Sequence, residues 1–196
     1  MWAGLAVIAF AICVAFIFEQ LKARPLPVFA ALSPFTLTNQ NGKSVNLDDL
    51  RGQVWIADAI FTRCPGQCLL MSAHMKAIQD GLPAGQPIQL VSFTTDPVFD
   101  QPAVLKKYAE RFEARDDRWS FLTGDKSALH HVEVDGLKLS VVDKPAAEQE
   151  GANDLFIHSE KFVLLDKQGR VRGYCDGQNS DAAAAMIAAA QTLIRE

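Results

Sequence analysis

The sequence predicts an α/β domain organised around a strand, helix, strand unit. Residues 54–61 form an apolar run with the length and composition of a buried strand. A helical pattern follows from about Cys68 to Gln79, and Ile88 to Thr94 is a second buried run, whose spacing favours parallel pairing with the first. Asn41-Gly42, between two alternating segments, is a strong hairpin signal. These three observations assign the chain to the α/β class.

The other elements before the middle of the chain follow from local signals. The hairpin pairs residues 35–38 with 43–47, residues 48–52 form a turn, and Pro102 opens a helix that runs to about Phe112. We then expect a strand over residues 119–122, a short helix over 126–134 and an alternating edge strand over 137–142.

The C-terminal part completes the order of elements. Residues 144–153 are rich in Ala, Glu and Gly and predict a surface loop that could serve as a mobile lid. Residues 161–166 and 170–174 predict a hairpin, and the alanine-rich stretch 181–194 predicts a closing helix. This order is that of a thioredoxin-like fold, extended by an N-terminal hairpin and by an insertion in mid-chain.

The first segment is predicted to be a transmembrane anchor. Residues 1–18 contain no charged residue, and about 20 apolar residues span a bilayer as a helix. A cleaved signal peptide fits less well, because neither a charged start nor a small-x-small site is clear. We therefore expect an anchor over residues 1–21, a proline-containing linker over 22–31 and the domain over 32–196. Lys22 and Arg24, taken alone, favour a cytoplasmic domain.

Composition excludes some classes of function. The formal net charge is -4 and there is no basic cluster, which argues against a nucleic-acid partner. The chain has four cysteines, and one of them, Cys13, lies in the predicted anchor. A domain with three cysteines is not a disulfide-built scaffold, so these residues are better candidates for chemistry.

Cys64 and Cys68 stand where the first buried strand turns into its helix. Backbone N–H groups and the helix dipole favour the thiolate there, and if both residues lie on the first turn they face the same side. Three interpretations are open: a structural pair, a redox-active dithiol for disulfide exchange, or a metal site. Two thiolates with one imidazole suit Cu(I), and the same set holds Cu(II) if the geometry allows.

The position of His158 distinguishes a redox-active dithiol from a metal site, if the histidine lies near the two sulfurs. A lone histidine is usually a surface or a satisfied core residue. This one occupies the place where a thioredoxin-like reductase carries the proline that shapes its substrate groove, and no proline precedes residues 162–165. A groove without that proline and with a metal ligand in its place is suited to hold an ion.

Several neighbouring residues are weaker candidates. Methionines on an amphipathic helix are usually core residues, although a soft-metal relay is conceivable. Cys175 is expected to be a small buried residue, or else a third sulfur near the site. The residues of the conceivable relay are Met71, His74 and Met75. We expect His130 and His131 to lie at the surface, and Asp96 and Asp100 to cap the helix that begins at Pro102.

Several motifs in order resemble the SCO1/SenC family of thioredoxin-like copper-binding proteins. The motifs on which the resemblance rests are Phe61-Thr62-Arg63-Cys64-Pro65-x-x-Cys68, Thr95-Asp96-Pro97 with Asp100 and Pro102, residues 105–109, residues 118–124, His158-Ser159 and the hairpin to Tyr174-Cys175-Asp176-Gly177. The similarity covers about residues 34–191, nearly the whole domain. A Cys-x3-Cys motif alone would be weak, whereas this series is specific.

The resemblance implies a copper site and a location. It implies copper, as Cu(I) or Cu(II), on Cys64, Cys68 and His158, and a metallochaperone that helps to build the dinuclear copper centre of cytochrome c oxidase subunit II or serves another cuproprotein. It also implies a single-pass protein of the bacterial inner membrane with its domain in the periplasm, against the bias of the two basic residues. Some members of the family are thought to be thiol–disulfide reductases, so an enzymatic role stays open.

Three positions depart from the common pattern of that family. Gly66 replaces an acidic residue between the cysteines, Leu69 replaces a proline after the second cysteine, and Cys175 stands where a tyrosine is more usual. They leave the fine metal preference open and raise the alternative of a membrane-anchored reductase with Cys64 as nucleophile and Cys68 as resolving thiol. A peroxidase fits less well, because the threonine of peroxiredoxins is three residues before the reactive cysteine and Thr62 is two before Cys64.

Overall fold

The structure is a computed structural model that describes residues 25–149, 151 and 154–196. The predicted anchor, residues 1–21, and the start of the predicted linker lie outside the described residues. Within the described ranges, no helix combines the length and apolarity that a membrane crossing requires.

The core of the fold is an eight-stranded sheet with three parallel strands at its centre. In chain order its strands are β1 (Ala30–Ala31), β2 (Thr36–Asn39), β3 (Ser44–Asn46), β4 (Val54–Ile60), β5 (Ile88–Thr94), β6 (Trp119–Thr123), β9 (Lys161–Leu165) and β10 (Arg170–Asp176). Their spatial order is β1-β10-β9-β4-β5-β6-β2-β3, with β4, β5 and β6 parallel and the other pairs antiparallel. A separate two-stranded ribbon joins β7 (Val141–Asp143) to β8 (Phe156–His158).

Helices cover the sheet and connect its strands. They are α1 (Leu47–Leu50), α2 (Gln67–Gly81), α3 (Pro102–Arg111), α4 (Lys126–His130) and α5 (Ala182–Ile194), with a π-helical turn at His131–Gly136 and a 3₁₀ turn at Ala146–Glu148. Pro102 is at the first turn of α3, as predicted, because its missing N–H is not needed there. The described elements thus confirm the thioredoxin-like order, including the N-terminal hairpin.

Burial on both faces of β4 explains its apolar sequence. All seven of its residues are buried. Val54, Ile56 and Ile60 belong to the core on the side of α2 and α5, whereas Trp55 and Ala57 belong to the core on the opposite face. Because side chains alternate along a strand, Asp58 lies on the same face as Ile56 and Ile60.

Three predicted elements differ from the structure. The edge strand over residues 137–142 is wrong for its first half: Lys138 has φ 58°, outside the extended region, and only Val141–Asp143 is a strand. Leu137 and Leu139 are buried in the second core, which produced the misleading alternation. The helix over 126–134 is α-helical only to His130. Ala30–Ala31, at the end of the predicted linker, pairs with β10.

Candidate metal centre

The loop between β4 and α2 carries Cys64 and is fixed from below by Asp100. The Asp100 carboxylate accepts hydrogen bonds from the backbone N–H of Thr62 at 3.0 Å and from the hydroxyls of Thr62 and Thr94. Arg63 forms an ion pair with Asp96 and lies over the Phe99 ring at 4.2 Å. The expectation that the two aspartates cap α3 is therefore wrong: its N-cap is Gln101, whose side chain makes no capping bond to the helix, and both carboxylates hold the cysteine loop instead.

The two cysteines occupy different positions relative to α2. Cys64 precedes the helix, whereas Cys68 is its second residue, so they do not share its first turn. The backbone N–H of Cys68 points at the Cys64 Sγ at a distance of 3.5 Å. Both are free thiols, with Cys64 8% exposed and Cys68 fully buried. The helix N-terminus thus acts on Cys64 from outside the helix.

His158 comes from the ribbon and not from the main sheet. It ends β8, and its Nε2 lies 3.2 Å from the Cys68 Sγ. Its Nδ1 lies 3.3 Å from the Ser159 carbonyl, which can only accept, so Nδ1 is the donor and Nε2 is left to face the sulfurs. The Phe61 ring meets the imidazole edge to face at 5.7 Å. The position of His158 is therefore set by packing as well as by hydrogen bonding.

The three donor atoms are close enough to share one metal ion. The ligand atoms of Cys64, Cys68 and His158 all lie within 4.8 Å of one another. Bonds of about 2.3 Å to sulfur and about 2.0 Å to nitrogen place two ligands of one ion at most roughly 4.6 Å apart, so donors within 4.8 Å of one another need only a small closing movement to bind it. Two sulfurs and an imidazole are a donor set that suits copper. The residues present thus fit a copper ion.

The pKa values of the two thiols are shifted in opposite directions. The pKa of Cys64 is lowered to about 4, first by the hydrogen bond from the Cys68 thiol and further by His158 and by the N–H groups of Cys68 and Gly66, against the effect of burial. The same thiol contact, with burial and the charges of Cys64 and Asp58, raises the pKa of Cys68. Without metal, the pair therefore holds one thiolate on Cys64 and one proton on Cys68.

Asp58 is a fully buried carboxyl beneath this centre, and sequence reasoning missed it. Neither of its oxygens has a hydrogen-bond partner among the described groups. Burial raises its pKa to about 7, opposed by the Ser92 hydroxyl, which is close but outside hydrogen-bond geometry, and by His158. A single charged residue inside the run of residues 54–61 was the available signal, since such residues are rarely buried without a partner.

A cavity of about 660 Å³ opens over the centre. Cys64 and His158 lie at its wall, together with Pro65 and Ile157. Lys144 and Asp154, at the two ends of the predicted loop, form an ion pair beside it. Residues 150, 152 and 153 of that loop are outside the described residues, so its role as a lid stays a prediction.

The weaker candidates lie elsewhere or have structural contacts. Met71 and Met75 are fully buried in the core, as expected of core methionines, and His74 Nδ1 donates to the Gly177 carbonyl at 2.8 Å. His130 and His131 are exposed, as predicted. Cys175 is half-buried on β10, and among the described residues it is not part of the three-donor group.

Comparison with known proteins agrees with this arrangement. The SCO1/SenC family model matches residues 25–195. The chain belongs to the SCO1/SenC family. A relative described as an SCO1 protein homolog of Bacillus subtilis (strain 168) is 39% identical over 147 residues, which are 74% of this chain and 73% of the relative. The family resemblance of the sequence is thereby confirmed.

Solved structures of SCO1/SenC relatives share the fold. One is that of BsSco, described as a member of the Sco family of cytochrome c oxidase assembly proteins with a disulfide switch; it is 32% identical, with a TM-score of 0.73, covering 87% of this chain and 98% of that one. Another, Bradyrhizobium japonicum ScoI with copper bound, is 23% identical, with a TM-score of 0.66, covering 84% and 99%. The second comparison supports the fold alone.

Proposed function

We propose that this SCO1/SenC protein is a copper metallochaperone that holds one copper ion on Cys64, Cys68 and His158 and delivers it to a cuproprotein. The observation that carries the proposal is the convergence of the three donor atoms within 4.8 Å of one another. By analogy with BsSco, described as a cytochrome c oxidase assembly protein, the receiving protein is cytochrome c oxidase subunit II or another cuproprotein.

The proposed anchor follows from the apolar N-terminal segment, and the proposed periplasmic side follows from the family resemblance, against the bias of Lys22 and Arg24. Residues 1–21 anchor the chain in the bacterial inner membrane, residues 22–31 form the linker, and residues 32–196 form the copper-binding domain in the periplasm. A domain in that compartment would meet the copper and the oxidase subunit on the same side of the membrane.

In this proposal copper is the cargo, and the residues of the chain prepare it for transfer. Cys64 offers a thiolate, Cys68 loses its proton when the metal is bound, and His158 presents Nε2. The cavity above Cys64 and His158 leaves room for the ligands of a receiving protein. Oxidation of the two thiols to a disulfide removes both thiolates and should abolish copper binding.

The test is copper stoichiometry and affinity of the reduced protein, measured against a competing Cu(I) chelator with free thiols counted in the same samples. The parent should hold one copper per chain. His158→Ala should weaken binding by at least about tenfold, a loss of ~1.4 kcal/mol or more, whereas His130→Ala, which removes an exposed histidine, should leave it unchanged. Equal affinity of His158→Ala and the parent would show that His158 is not a ligand.

A second function, thiol–disulfide reduction, is favoured by the opposite pKa shifts of the two thiols. The Cys64 thiolate would attack a disulfide of the target and release one target thiolate. Cys68, on losing its proton, would then attack the Cys64 Sγ and release the second, leaving a Cys64–Cys68 disulfide and a reduced target. In this case His158→Ala would keep most of the exchange activity, and copper binding would be weak in both proteins.

A further inference from the structure

A second cavity, of about 440 Å³, lies at the carboxyl ends of β5 and β6. Three parts of the chain form it: the loop after β5 with Thr95, the α4 and π-helical segment with Glu133, and β7 with Val141 and Val142. Ligands of parallel sheets commonly bind outside the carboxyl ends of the strands. The ribbon of β7 and β8 separates this cavity from the one over the metal centre, because Val142 lines the former and Ile157 the latter.

Glu133 gives this cavity an uncompensated carboxyl. The residue is 1% exposed, lies in the π-helical turn and lines the cavity. Its Oε1 has no hydrogen-bond partner within the described ranges, and burial alone raises its pKa well above the usual value. A buried carboxyl without a partner is costly, and π-helical turns are frequent at functional sites.

The surrounding charges do not satisfy Glu133. Lys126 is already held by Asp143 at the rim, with its Nζ 2.7 Å from the carboxylate. A metal ion is also not indicated: in the part of the chain that the structure describes, the three donors of the metal centre are the only group of three or more within ligand distance. A partner that fills the cavity and pairs with this carboxyl in its ionised form would have to bring N–H donors and a positive charge, and a guanidinium gives the strongest such pairing with a carboxylate.

Exposed apolar side chains beside the cavity indicate that this cation belongs to a protein. Val98, in the loop after β5, is 83% exposed. Val142 and Ile157 are cross-strand neighbours on the ribbon, and each is 55% exposed. A small free cation would leave these side chains in water, whereas a docked polypeptide would cover them. Arginine is enriched at the centres of such interfaces.

We propose that the Glu133 cavity receives an arginine side chain of a partner protein, with Val98, Val142 and Ile157 as the surrounding apolar contact. This inference rests on the proposed function and deepens it. A chaperone that delivers copper needs its partner to dock beside His158. A protein bound here would lie against the ribbon that ends in His158 and next to the mouth of the metal cavity.

The first test titrates the full-length reduced, metal-free protein with N-propylguanidinium and follows the NMR signals of Thr95, Leu129 and Val142. Saturable shifts are expected in the parent. Glu133→Gln keeps the size of the side chain and should weaken binding at least about tenfold. Asp135→Asn removes an exposed carboxylate of the same π-helical turn that does not line the cavity, and it should change binding by less than about twofold. Unchanged amide spectra outside the cavity would show that both variants fold.

Three outcomes would overturn the assignment. Neutral N-propylurea binding as tightly as the guanidinium would mean that the cavity recognises apolar groups, and equal binding of propylammonium would mean that it does not select arginine. No saturable shift at tens of millimolar would mean that it holds no such cation. None of these would affect copper binding, so failure of this inference and failure of the proposed function are distinguishable.

A second variant tests the apolar contact. N-acetyl-arginyl-leucinamide, which adds an apolar neighbour to the guanidinium, should bind more tightly than propylguanidinium. Val142→Ser should remove that gain and leave propylguanidinium binding unchanged. Equal binding of the two probes to the parent would exclude the apolar side chains from the docking surface.

Discussion

The lowered pKa of Cys64 predicts an unusual dependence of its reactivity on pH. With a pKa of about 4, compared with 9.0 for an ordinary thiol, Cys64 is almost fully ionised at every pH above 6. Its reaction with a small disulfide such as 4,4′-dithiodipyridine should therefore have a rate that is flat between about pH 6 and 8. An ordinary thiol becomes roughly tenfold more reactive with each pH unit in this range.

Two opposing factors set the reaction rate of Cys64 relative to that of an ordinary cysteine: the fraction of thiolate and its intrinsic nucleophilicity. At about pH 6 an ordinary thiol with a pKa of 9.0 is only ~0.1% thiolate, so Cys64 has roughly a thousandfold more of the reactive form. Its lower basicity reduces intrinsic nucleophilicity, with a Brønsted slope of about 0.4–0.5, by roughly 100- to 300-fold over five pKa units. Cys64 should thus react about 3- to 10-fold faster than a peptide cysteine at about pH 6, and roughly 10- to 30-fold slower at about pH 8.

The assay is stopped-flow absorbance of the reduced, metal-free protein with Cys13 and Cys175 replaced by serine. Cys68→Ala removes the leading cause of the lowered pKa of Cys64, so in that variant the rate should rise with pH over the same range. A tenfold rise per pH unit in the parent, or identical profiles for parent and variant, would refute the hydrogen-bonded thiolate.

Three further variants test two carboxyls around the centre and one buried arginine elsewhere in the fold. Asp58→Asn removes a carboxyl whose pKa is raised from 3.8 to about 7, so between about pH 4 and 7 this group lowers the stability of the folded parent by ~1.4 kcal/mol for each unit that the pH rises. Over the same range the lowered pKa of Cys64 raises stability by a similar amount per unit, so the parent should be nearly flat in urea unfolding, whereas Asp58→Asn should become more stable by up to ~4 kcal/mol from about pH 4 to 7; parallel profiles of the two proteins would contradict the buried proton. Asp100→Asn loses an acceptor of the cysteine loop and should destabilise the fold by about 1–3 kcal/mol, whereas unchanged stability would contradict its role. Arg172→Ala breaks a buried pair with Asp166 and a partly exposed pair with Glu196 and should cost about 3–5 kcal/mol, compared with less than ~1 kcal/mol for Arg170→Ala, a more exposed arginine on the same Asp166; equal losses would disprove the distinction.

The main strands and helices could be predicted because their patterns coincide with burial. Every residue of β4 is buried, so its apolar run had one simple interpretation, and Pro102 marked the start of α3 by its own geometry. The alternation of residues 137–142 failed for a physical reason. Leu137 and Leu139 are buried from an irregular chain that passes through φ 58° at Lys138, and burial alone does not distinguish that path from a strand.

The candidate site was only partly accessible to local reasoning. The position of Cys64 and Cys68 at the junction of a strand and a helix could be derived from the adjacent patterns. The contact of Cys68 with His158, 90 residues later, depends on a ribbon outside the main sheet, so its place in the thioredoxin-like order made His158 a candidate and the family resemblance was needed to assign it as the third donor. Asp58 could have been found from its single charge in an apolar run, whereas the carboxyl of Glu133 is buried by a π-helical turn that no spacing rule predicts.

The most direct test of the account is X-ray absorption of the reduced protein loaded with one equivalent of Cu(I). Two sulfur ligands and one imidazole nitrogen on a single copper are predicted, and the nitrogen should disappear in His158→Ala while His130→Ala keeps it. A copper held by sulfur alone in the parent, or an imidazole signal that survives in His158→Ala, would contradict the three-ligand centre.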